Sequence, residues 1–395
     1  MMQQDILIRR TYKYPLYQCS RKDQALHDSI NIAGIMWNHA LALRKRYYRL
    51  TQKHLSYSQL DKHFAKLRMR RKKFAYWKLV GSQTVQDVLL RQEDAFERFF
   101  KKQAGFPRFK KVKRYKSITL TQAGWKLFPD KRPVQDKKRG VGVIRIGKQT
   151  YKFIKHRELQ GEIKTLIIKR DRVGHLWVCF SVIEVYAVPE RVSTGESGGF
   201  DFGLKTFLTD QHGQTYLHPE FFKQQLKHLQ HLSRALSRKQ AGSGNQHRAQ
   251  QALARAHQRI TDKRRDFHFK LAHTLCKQCD TLIFEDLNLA PMKKRWGRKA
   301  SDLGFGKFLD IATHVAGKQM VQIHQIDRFE RTTALCCRCE HRQALPLRER
   351  TFRCQACGLI LDRDWNAAVN IWYAGASACG LGVVRPSFEG NPATA

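Results

Sequence analysis

The sequence predicts a multidomain chain of mixed α/β and α+β type: an N-terminal β unit with a helical insertion, then an α/β unit holding a helical hairpin and a cysteine ribbon. Three observations lead there. The chain has 395 residues, more than one ordinary core accommodates. Stretches of period-two alternation and stretches of three-and-four spacing occupy separate regions. A turn-rich segment, PERVSTGESGG at 189–199, divides the two halves. The expected domains are therefore 1–190, with its helical insertion at about 22–104, and 191–374, with the ribbon at about 332–360. Residues 375–395, rich in small residues with Pro and Gly, read as a poorly ordered tail.

Taken in order, residues 5–16 alternate through Ile6, Ile8, Tyr12, Tyr14 and Leu16, the pattern of an opening strand. From about Lys22 the pattern is helical, and RMRRKKF at 68–74 belongs to that region. Val85, Val88, Leu89, Phe96, Phe99 and Phe100 form one packing face, with Arg91, Arg98, Lys101 and Lys102 off it or at its edge. GFPRFKKVKRYKSIT at 105–119 breaks the helices and interleaves aromatics with cations. A solvated loop explains that composition less well than backbone contact with nucleic acid and stacking by Phe or Tyr. The runs VGVIRI, YKFI, TLIIK and LWVCFSVIEV between 141 and 188 alternate as a small sheet or barrel does. Within them, GVIRIGK at 142–148 has phosphate-loop spacing, but Gln149 stands where Ser or Thr must reach the metal, so nucleotide hydrolysis is set aside. Beyond 199, two long polar helices broken by AGSGN at 241–245 read as a hairpin inserted before the strand-like TLIFEDL.

Lys and Arg number 74 against 33 acids, a net charge of +41, while 42% apolar residues still allow a buried core. A folded chain with that charge needs a dense polyanion as partner, and a nucleic-acid backbone supplies one. The cations expected to contact it are Arg68, Arg70, Arg71, Lys72 and Lys73, and Arg108, Lys110, Lys111, Lys113, Arg114 and Lys116. The opening MMQQDILIRRTYKYPLYQCS lacks a secretion pattern, and no apolar run approaches the ~18 residues of a membrane span. Ten cysteines are too few for a disulfide scaffold in a chain of this size, which fits a reducing cytoplasm.

Three acids lie in apolar, strand-like or strand-edge surroundings: Asp201 in GFDFGLK, Glu285 in TLIFEDL and Asp364 in LILDRDWNAAVNIW. Each alone reads equally as a turn residue or a helix cap, and Asp362 and Asp364 both suit an N-cap. As a set they have the chemistry of a two-metal phosphodiesterase, in which carboxylates hold two Mg²⁺ ions about 4 Å apart. Their spacing does not establish that they meet.

Cys336 and Cys339 form one CxxC and Cys354 and Cys357 another, with 14 residues between. Four thiolates at that interval make a closed tetrahedral zinc site. Cys337 is surplus, either a bystander or an alternative ligand. Cys276 and Cys279, a CxxC with no second pair nearby, read as buried helical cysteines.

The succession GFDFGLK, IFEDLNL, TTALCCRCEHRQALPLRERTFRCQACG and LDRDWNAAVNI resembles the C-terminal half of the TnpB (OrfB-type) family of insertion-sequence proteins, relatives of the type V CRISPR effectors. GFPRFK at 105–110 and HLSRALSRKQAGSGNQHRAQ at 231–250 extend the likeness over most of the chain. The resemblance implies an RNA-guided DNA endonuclease with a RuvC-like (RNase H type) domain, its catalytic acids falling on Asp201, on Glu285 rather than Asp286, and on Asp364. It implies one structural zinc on Cys336, Cys339, Cys354 and Cys357, and a guide RNA from the transposon end. It further implies a wedge-like β-barrel with a helical recognition insertion, and a double-stranded DNA target read at a short motif. Where the family commonly has Gly after the second cysteine, this chain has Glu340, a departure that bears on the local turn more than on the metal. Two rival readings are a guided DNA-binding repressor without cleavage and a guide-independent transposase; the complete acid set speaks against the first. The sequence leaves the oligomeric state open.

Overall fold

The computed structural model describes residues 5–121, 123–135, 139–187, 190–328, 330, 332–346 and 349–385. They fall into two compact units, Met1–Ala187 and Val188–Ala395.

In the first unit β1 (Asp5–Pro15) leads into three helices, α1 (Ser20–Thr51), α2 (Tyr57–Arg70) and α3 (Ser82–Phe100), with 3₁₀ turns over Lys72–Leu79. A capping box between Ser56 and Gln59 starts α2. The stretch 68–74 is not one helix, because Arg71 is extended (φ −109°, ψ 115°) and separates α2 from the 3₁₀ segment. On α3, Val85, Val88 and Leu89 enter the core, whereas Phe96 and Phe99 are half-buried and Phe100 is exposed. The distal part of the apolar stripe packs on a loop instead, with Phe106 5.5 Å from Phe96 and 5.2 Å from Phe99. Arg91 is engaged as well, pairing with Asp87 (2.9 Å) and donating to Thr119.

The remaining strands are β2 (Ser117–Leu120), β3 (Trp125–Arg132), β4 (Gly140–Ile146), β5 (Gln149–Lys155), β6 (Glu162–Arg170) and β7 (Leu176–Ala187). They make two antiparallel sheets, ordered β1-β7-β6-β2 and β3-β4-β5. An isolated bridge between Leu16 and Phe153 joins them. Tyr14, Phe153 and Phe180 pack where they meet, with ring centroids 5.4 to 6.1 Å apart. Residues 142–148 form part of the β4–β5 hairpin, turning at Gly147 (φ +57°), so the phosphate-loop spacing there is coincidental.

In the second unit come β8 (Ser197–Asp201), β9 (Leu208–Asp210), β10 (Thr215–Tyr216), α4 (Phe221–Gln224), α5 (Leu226–Ser237) and α6 (Gly244–Gln278). They are followed by β11 (Thr281–Glu285), α7 (Leu289–Leu303), α8 (Phe305–Gln319) and β12 (Gln322–Ile326). A small hairpin of β13 (Thr351–Arg353) and β14 (Ile360–Asp362) precedes α9 (Arg363–Ala378). The sheet runs β10-β9-β8-β11-β12, with β8, β11 and β12 parallel.

Strand alternation sorts the two faces of this sheet. Phe200, Leu282 and Phe284 join Leu271 and Leu275 of α6 and Phe305 and Phe308 of α8 in one cluster. Ile283 and Ile326 face α9, meeting Ile371 and Ala376. Close approach on that side depends on two glycines: a Cβ at Gly199 would sit 2.3 Å from Cβ of Trp372, and one at Gly375 would sit 2.2 Å from Ile283. Residues 375–385 depart from the expected disordered tail: α9 runs to Ala378, and Arg385 bonds back to the unit. The rest of the expected tail, 386–395, lies outside the described residues. Among the described residues no helix is long and apolar enough to cross a membrane.

Candidate active site and metal centre

Because β8 and β11 are parallel with Phe200 opposite Phe284, Asp201 and Glu285 follow at neighbouring carboxyl ends. The same alternation that sends the phenylalanines into the core turns both acids toward α9. Asp362 caps α9, its Oδ1 accepting from the backbone N–H groups of Asp364 (2.8 Å) and Trp365 (3.2 Å). That leaves Asp364 in the first turn, 8% exposed. A Cβ at Gly203 would stand 3.4 Å from Oδ2 of Asp364, so the loop after Asp201 runs against that carboxylate. Trp365 Nε1 donates to the Gln211 carbonyl (3.0 Å) and Trp372 Nε1 to Ser197 Oγ (2.9 Å), which fixes the helix over β8.

The three acids therefore share one edge. Burial and the nearby charges of Asp364 and Glu285 push the Asp201 carboxyl up to about 8, against the opposing pull of Arg363. Burial, helped by Asp286, pushes Glu285 up to about 7. Asp364 is held by Nη1 of Arg350 (3.2 Å) and Nη2 of Arg363 (3.1 Å). Clustered carboxylates that resist ionisation are relieved by a hard divalent cation, so the donor set fits magnesium. Asp286 pairs with Arg328, and Asp362 is spent as the helix cap. Neither arginine on Asp364 was evident from sequence: Arg350 comes from the ribbon, 14 positions away.

Among the described residues the four paired cysteines are the one group of metal-ligating side chains whose ligand atoms all lie within 4.8 Å of one another. Sγ of Cys336 is 3.7 Å from that of Cys357, and Sγ of Cys339 is 3.5 Å from that of Cys354. Tetrahedral zinc with bonds of ~2.3 Å sets its sulfurs ~3.8 Å apart, so the geometry fits. Against the effect of burial, the N–H groups of Cys357 and Ala356 bring the Cys354 thiol down to about 7. Cys337 lies outside the group, buried, with its N–H on Asn366. At the family's glycine position Glu340 does adopt φ +62°, and its carboxylate pairs with Arg385 (2.8 Å). Cys276 and Cys279 are both buried in the α6 cluster, but only Cys276 is helical as read from the sequence, since Cys279 is extended just past the end of α6.

The basic residues divide into two kinds. Arg68, half-buried, donates to the Val80 carbonyl, and Lys110, though exposed, has its ammonium 3.6 Å from the Trp37 ring centroid, so both make local contacts. Arg70, Arg71, Lys72, Lys73, Arg108, Lys111, Lys113, Arg114 and Lys116 are exposed. Phe106 and Phe109 are exposed beside them, with Lys45 5.1 and 5.3 Å from their centroids.

Comparison with known proteins gives consistent matches. Residues 180–295 match the family OrfB_IS605, described as probable transposase, and residues 305–371 match the Cas12f1-like TNB domain. A protein of Streptomyces pristinaespiralis named "Putative RNA-guided DNA endonuclease" is 28% identical over 99% of this chain and 95% of its own length. InsQ of Escherichia coli K12, named in the same terms, is 24% identical over 94% of each. TnpB-like protein L79 of Acanthamoeba polyphaga mimivirus is 26% identical over 54% of this chain and 43% of its own. Among solved structures, a Cas12f1–sgRNA–target DNA complex aligns at 12% identity with a TM-score of 0.52, covering 92% of this chain and 98% of that one. The mini-RNA-guided endonuclease CRISPR-Cas_phi3 aligns at 9% with a TM-score of 0.54, covering 97% and 93%. At such identities the structural matches establish a shared mixed α/β multidomain fold.

Proposed function

The chain is a TnpB-like relative of the OrfB_IS605 transposase family, and from that premise we propose that it is an RNA-guided DNA endonuclease encoded by an insertion sequence. One observation carries the assignment to residues: Asp201 and Glu285 end adjacent parallel strands, Asp364 faces them from α9, and burial raises the first two carboxyls, helped at Asp201 by the charges of Asp364 and Glu285. In this reading they form a RuvC-like site for two magnesium ions. Bound magnesium supplies positive charge to the scissile phosphate and acidity to an attacking water. The chain's own part is to hold Asp201 and Glu285 on rigid strand ends and Asp364 on α9, and a bound cation would favour the ionised form of the Asp201 carboxyl. Arg350 and Arg363 pair with Asp364 and bring two cations to the edge where the phosphate must lie.

Cys336, Cys339, Cys354 and Cys357 hold one structural zinc in this reading. The first unit is the wedge-like guide-binding unit, its basic helices and the 105–116 loop facing a guide RNA made from the transposon end. Base pairing with that guide selects the double-stranded DNA target. The protein works in the reducing cytoplasm, at the nucleoid.

The test expresses the chain with its flanking transposon end, strips loosely held nucleic acid with salt, sequences the retained RNA and offers a matching DNA with magnesium. We expect one discrete RNA and cutting that depends on it. Specific cutting by RNA-free protein would replace this reading with a guide-independent transposase, and guided binding without cutting would replace it with a repressor.

A further inference from the structure

The two strands that end in acids begin side by side, with Ser197 of β8 opposite Thr281 of β11. Asp201 and Glu285 are their last residues, ~13 Å further along. The backbone of Asp280 ties the strand heads together. Its N–H donates to the Glu196 carbonyl (2.8 Å), and its carbonyl accepts from the N–H of Gln322 at the head of β12 (2.8 Å). The Asp280 side chain gathers the segment before β8, its Oδ2 accepting from Ser193 Oγ and from the N–H of Gly195 (2.8 Å). Its Oδ1 accepts from Nε (2.9 Å) and Nη2 (2.8 Å) of Arg191. The same guanidinium donates to the carbonyls of Cys276 (2.8 Å) and Cys279 (2.9 Å) at the end of α6, and of Gln319 (3.4 Å), the last residue of α8. Carbonyls at helix C-termini lack partners within the helix, and an arginine supplies both the donors and the positive charge that suit them.

We propose that Arg191 is a positioning residue for the carboxylate edge, acting through Asp280 to fix how far β8 is advanced along β11 and hence where Asp201 stands beside Glu285. This role rests on the endonuclease reading and adds to it a residue at the strand ends opposite the acids. β8 needs such a fixture. Its sequence, SGGFD, offers no side chain at Gly198 or Gly199 to interlock with β11, and glycine-bearing strands specify register weakly. Phe200 stacks on Phe284 at the acid end, with ring centroids 5.4 Å apart. At the other end Gln211 and Trp372 fasten Ser197 and Gly199 to the turn after β9 and to α9, so the heads of β8 and β11 are tied through the clasp. A slip of one residue would carry Asp201 to the phenylalanine face. Smaller slack lets the two carboxylates drift past one another, which a pair of cations about 4 Å apart tolerates poorly.

The test titrates the full RNA-free chain with manganese, which takes the same hard oxygen ligands as magnesium, and follows loss of the free-ion EPR signal. Asp364→Ala serves as the blank for the carboxylate edge. Arg191→Gln should weaken manganese binding about tenfold, the scale on which groups that orient metal ligands act. The magnesium needed for half-maximal guided cutting should rise by a similar factor, with the rate at saturating magnesium within about threefold of the parent. Arg191→Lys, which keeps the ion pair, should recover most of the affinity. Asp280→Ala should match Arg191→Gln, and the double variant should be no worse than either, because the pair acts as a unit. Leu229→Ala, a cavity in the α5–α6 hairpin, should lower melting and leave manganese binding unchanged. Affinity within about twofold of the parent in Arg191→Gln, no recovery in Arg191→Lys, additive losses in the double variant, or an equal loss in Leu229→Ala would overturn the proposal. So would a parent that binds no more manganese than the blank. Should Arg191→Gln fail to fold, Asp280→Asn decides, since it sets an amide N–H₂ against the guanidinium or the Gly195 N–H: weakening of about threefold or more is expected, and parental affinity overturns the proposal. Manganese binding needs no cutting, so a parent that binds the ion and cuts nothing sinks the endonuclease reading alone.

Discussion

The side chain of Asn366 brackets Cys336: its Nδ2 donates to the carbonyl of Leu335 (2.8 Å), and its Oδ1 accepts from the N–H of Cys337 (3.0 Å). Asn366 is two residues beyond Asp364 on α9 and fully buried. Asn370, one turn on, donates to the carbonyls of Thr332 (2.8 Å) and Leu335 (2.7 Å), and Arg385 reaches both Asn370 and the Cys337 carbonyl. The cysteine knuckle and the helix that carries Asp364 are thus one hydrogen-bonded body.

Asn366→Ala should therefore act on both ends of that body. Leaving the Leu335 carbonyl and Cys337 N–H unsatisfied in the interior costs about 2 kcal/mol or more. We expect a lower melting temperature, lower zinc content after mild chelation, and slower cutting. A variant with unchanged melting and zinc retention would show that the knuckle and α9 are not coupled.

Elemental analysis of protein made under reducing, metal-replete conditions should give one zinc per chain, falling below half in Cys354→Ser. Zinc removal should increase proteolysis between Glu285 and Asp364, because binding free energy at such sites is folding free energy. Zinc-free protein from those conditions, or a Cys354→Ser variant with full metal, refutes the assignment.

Asp201→Ala, Glu285→Ala and Asp364→Ala should each reduce magnesium-dependent cutting by at least ~100-fold, the scale of losing one preorganised electrostatic partner. Guided DNA binding by gel shift should persist, since Asp201 and Glu285 sit at strand ends and Asp364 in the first turn of α9, none of them on the basic surface. Any one variant that still cuts removes that residue from the site.

The acids could be singled out from sequence because each interrupts an apolar strand-like run, where a carboxylate needs a reason to be. Their convergence could not, since it depends on β8 and β11 lying side by side, 84 residues apart, and on the glycines that admit α9. The cysteine spacing carried its own geometry. The cations were harder to sort: Arg68 and Lys110 look like their neighbours in sequence, and only the tertiary positions of Val80 and Trp37 distinguish them. Arg350 and Arg385 gave no signal, because each acts across a fold from a segment that reads as loop or tail.

Acidity at the carboxylate edge gives a pH dependence of definite sign. Asp201 titrates at about 8 and Glu285 at about 7 in the folded chain, both above their ordinary carboxyl values. The magnesium-free fold therefore binds more protons than the unfolded chain between about pH 4 and 8. Its stability from these groups is full below the ordinary carboxyl range and is lost as pH rises through 7 and 8. Magnesium competes with those protons, so its stabilising effect should grow over the same interval. Melting temperatures from pH 5 to 9, with and without magnesium, check this. Asp201→Asn should flatten the magnesium-free curve, and an unchanged slope would count against Asp201 as the proton holder.

The two kinds of basic residue predict two different phenotypes in one short stretch. Arg70, Arg71, Lys72 and Lys73 are exposed at the end of α2 and the start of the 3₁₀ turns, with no packing role to lose. Arg68, one turn earlier, is half-buried and fastened to the Val80 carbonyl. If the exposed set neutralises phosphates of the guide RNA, each contact contributes ~0.7 to the log–log salt slope of RNA retention. Replacing all four with Gln should lower that slope by up to ~3, weaken retention most at high salt, and leave the melting temperature of the RNA-free chain unchanged. Arg68→Gln should do the reverse, lowering melting because the Val80 carbonyl loses its donor, with little change in slope. The loop cations Arg108, Lys111, Lys113, Arg114 and Lys116 should behave as the first set, and Lys110, over Trp37, as the second. Salt-titrated filter binding paired with thermal melts separates the outcomes, and equal slopes for the fourfold variant and the parent would take this stretch out of the RNA surface.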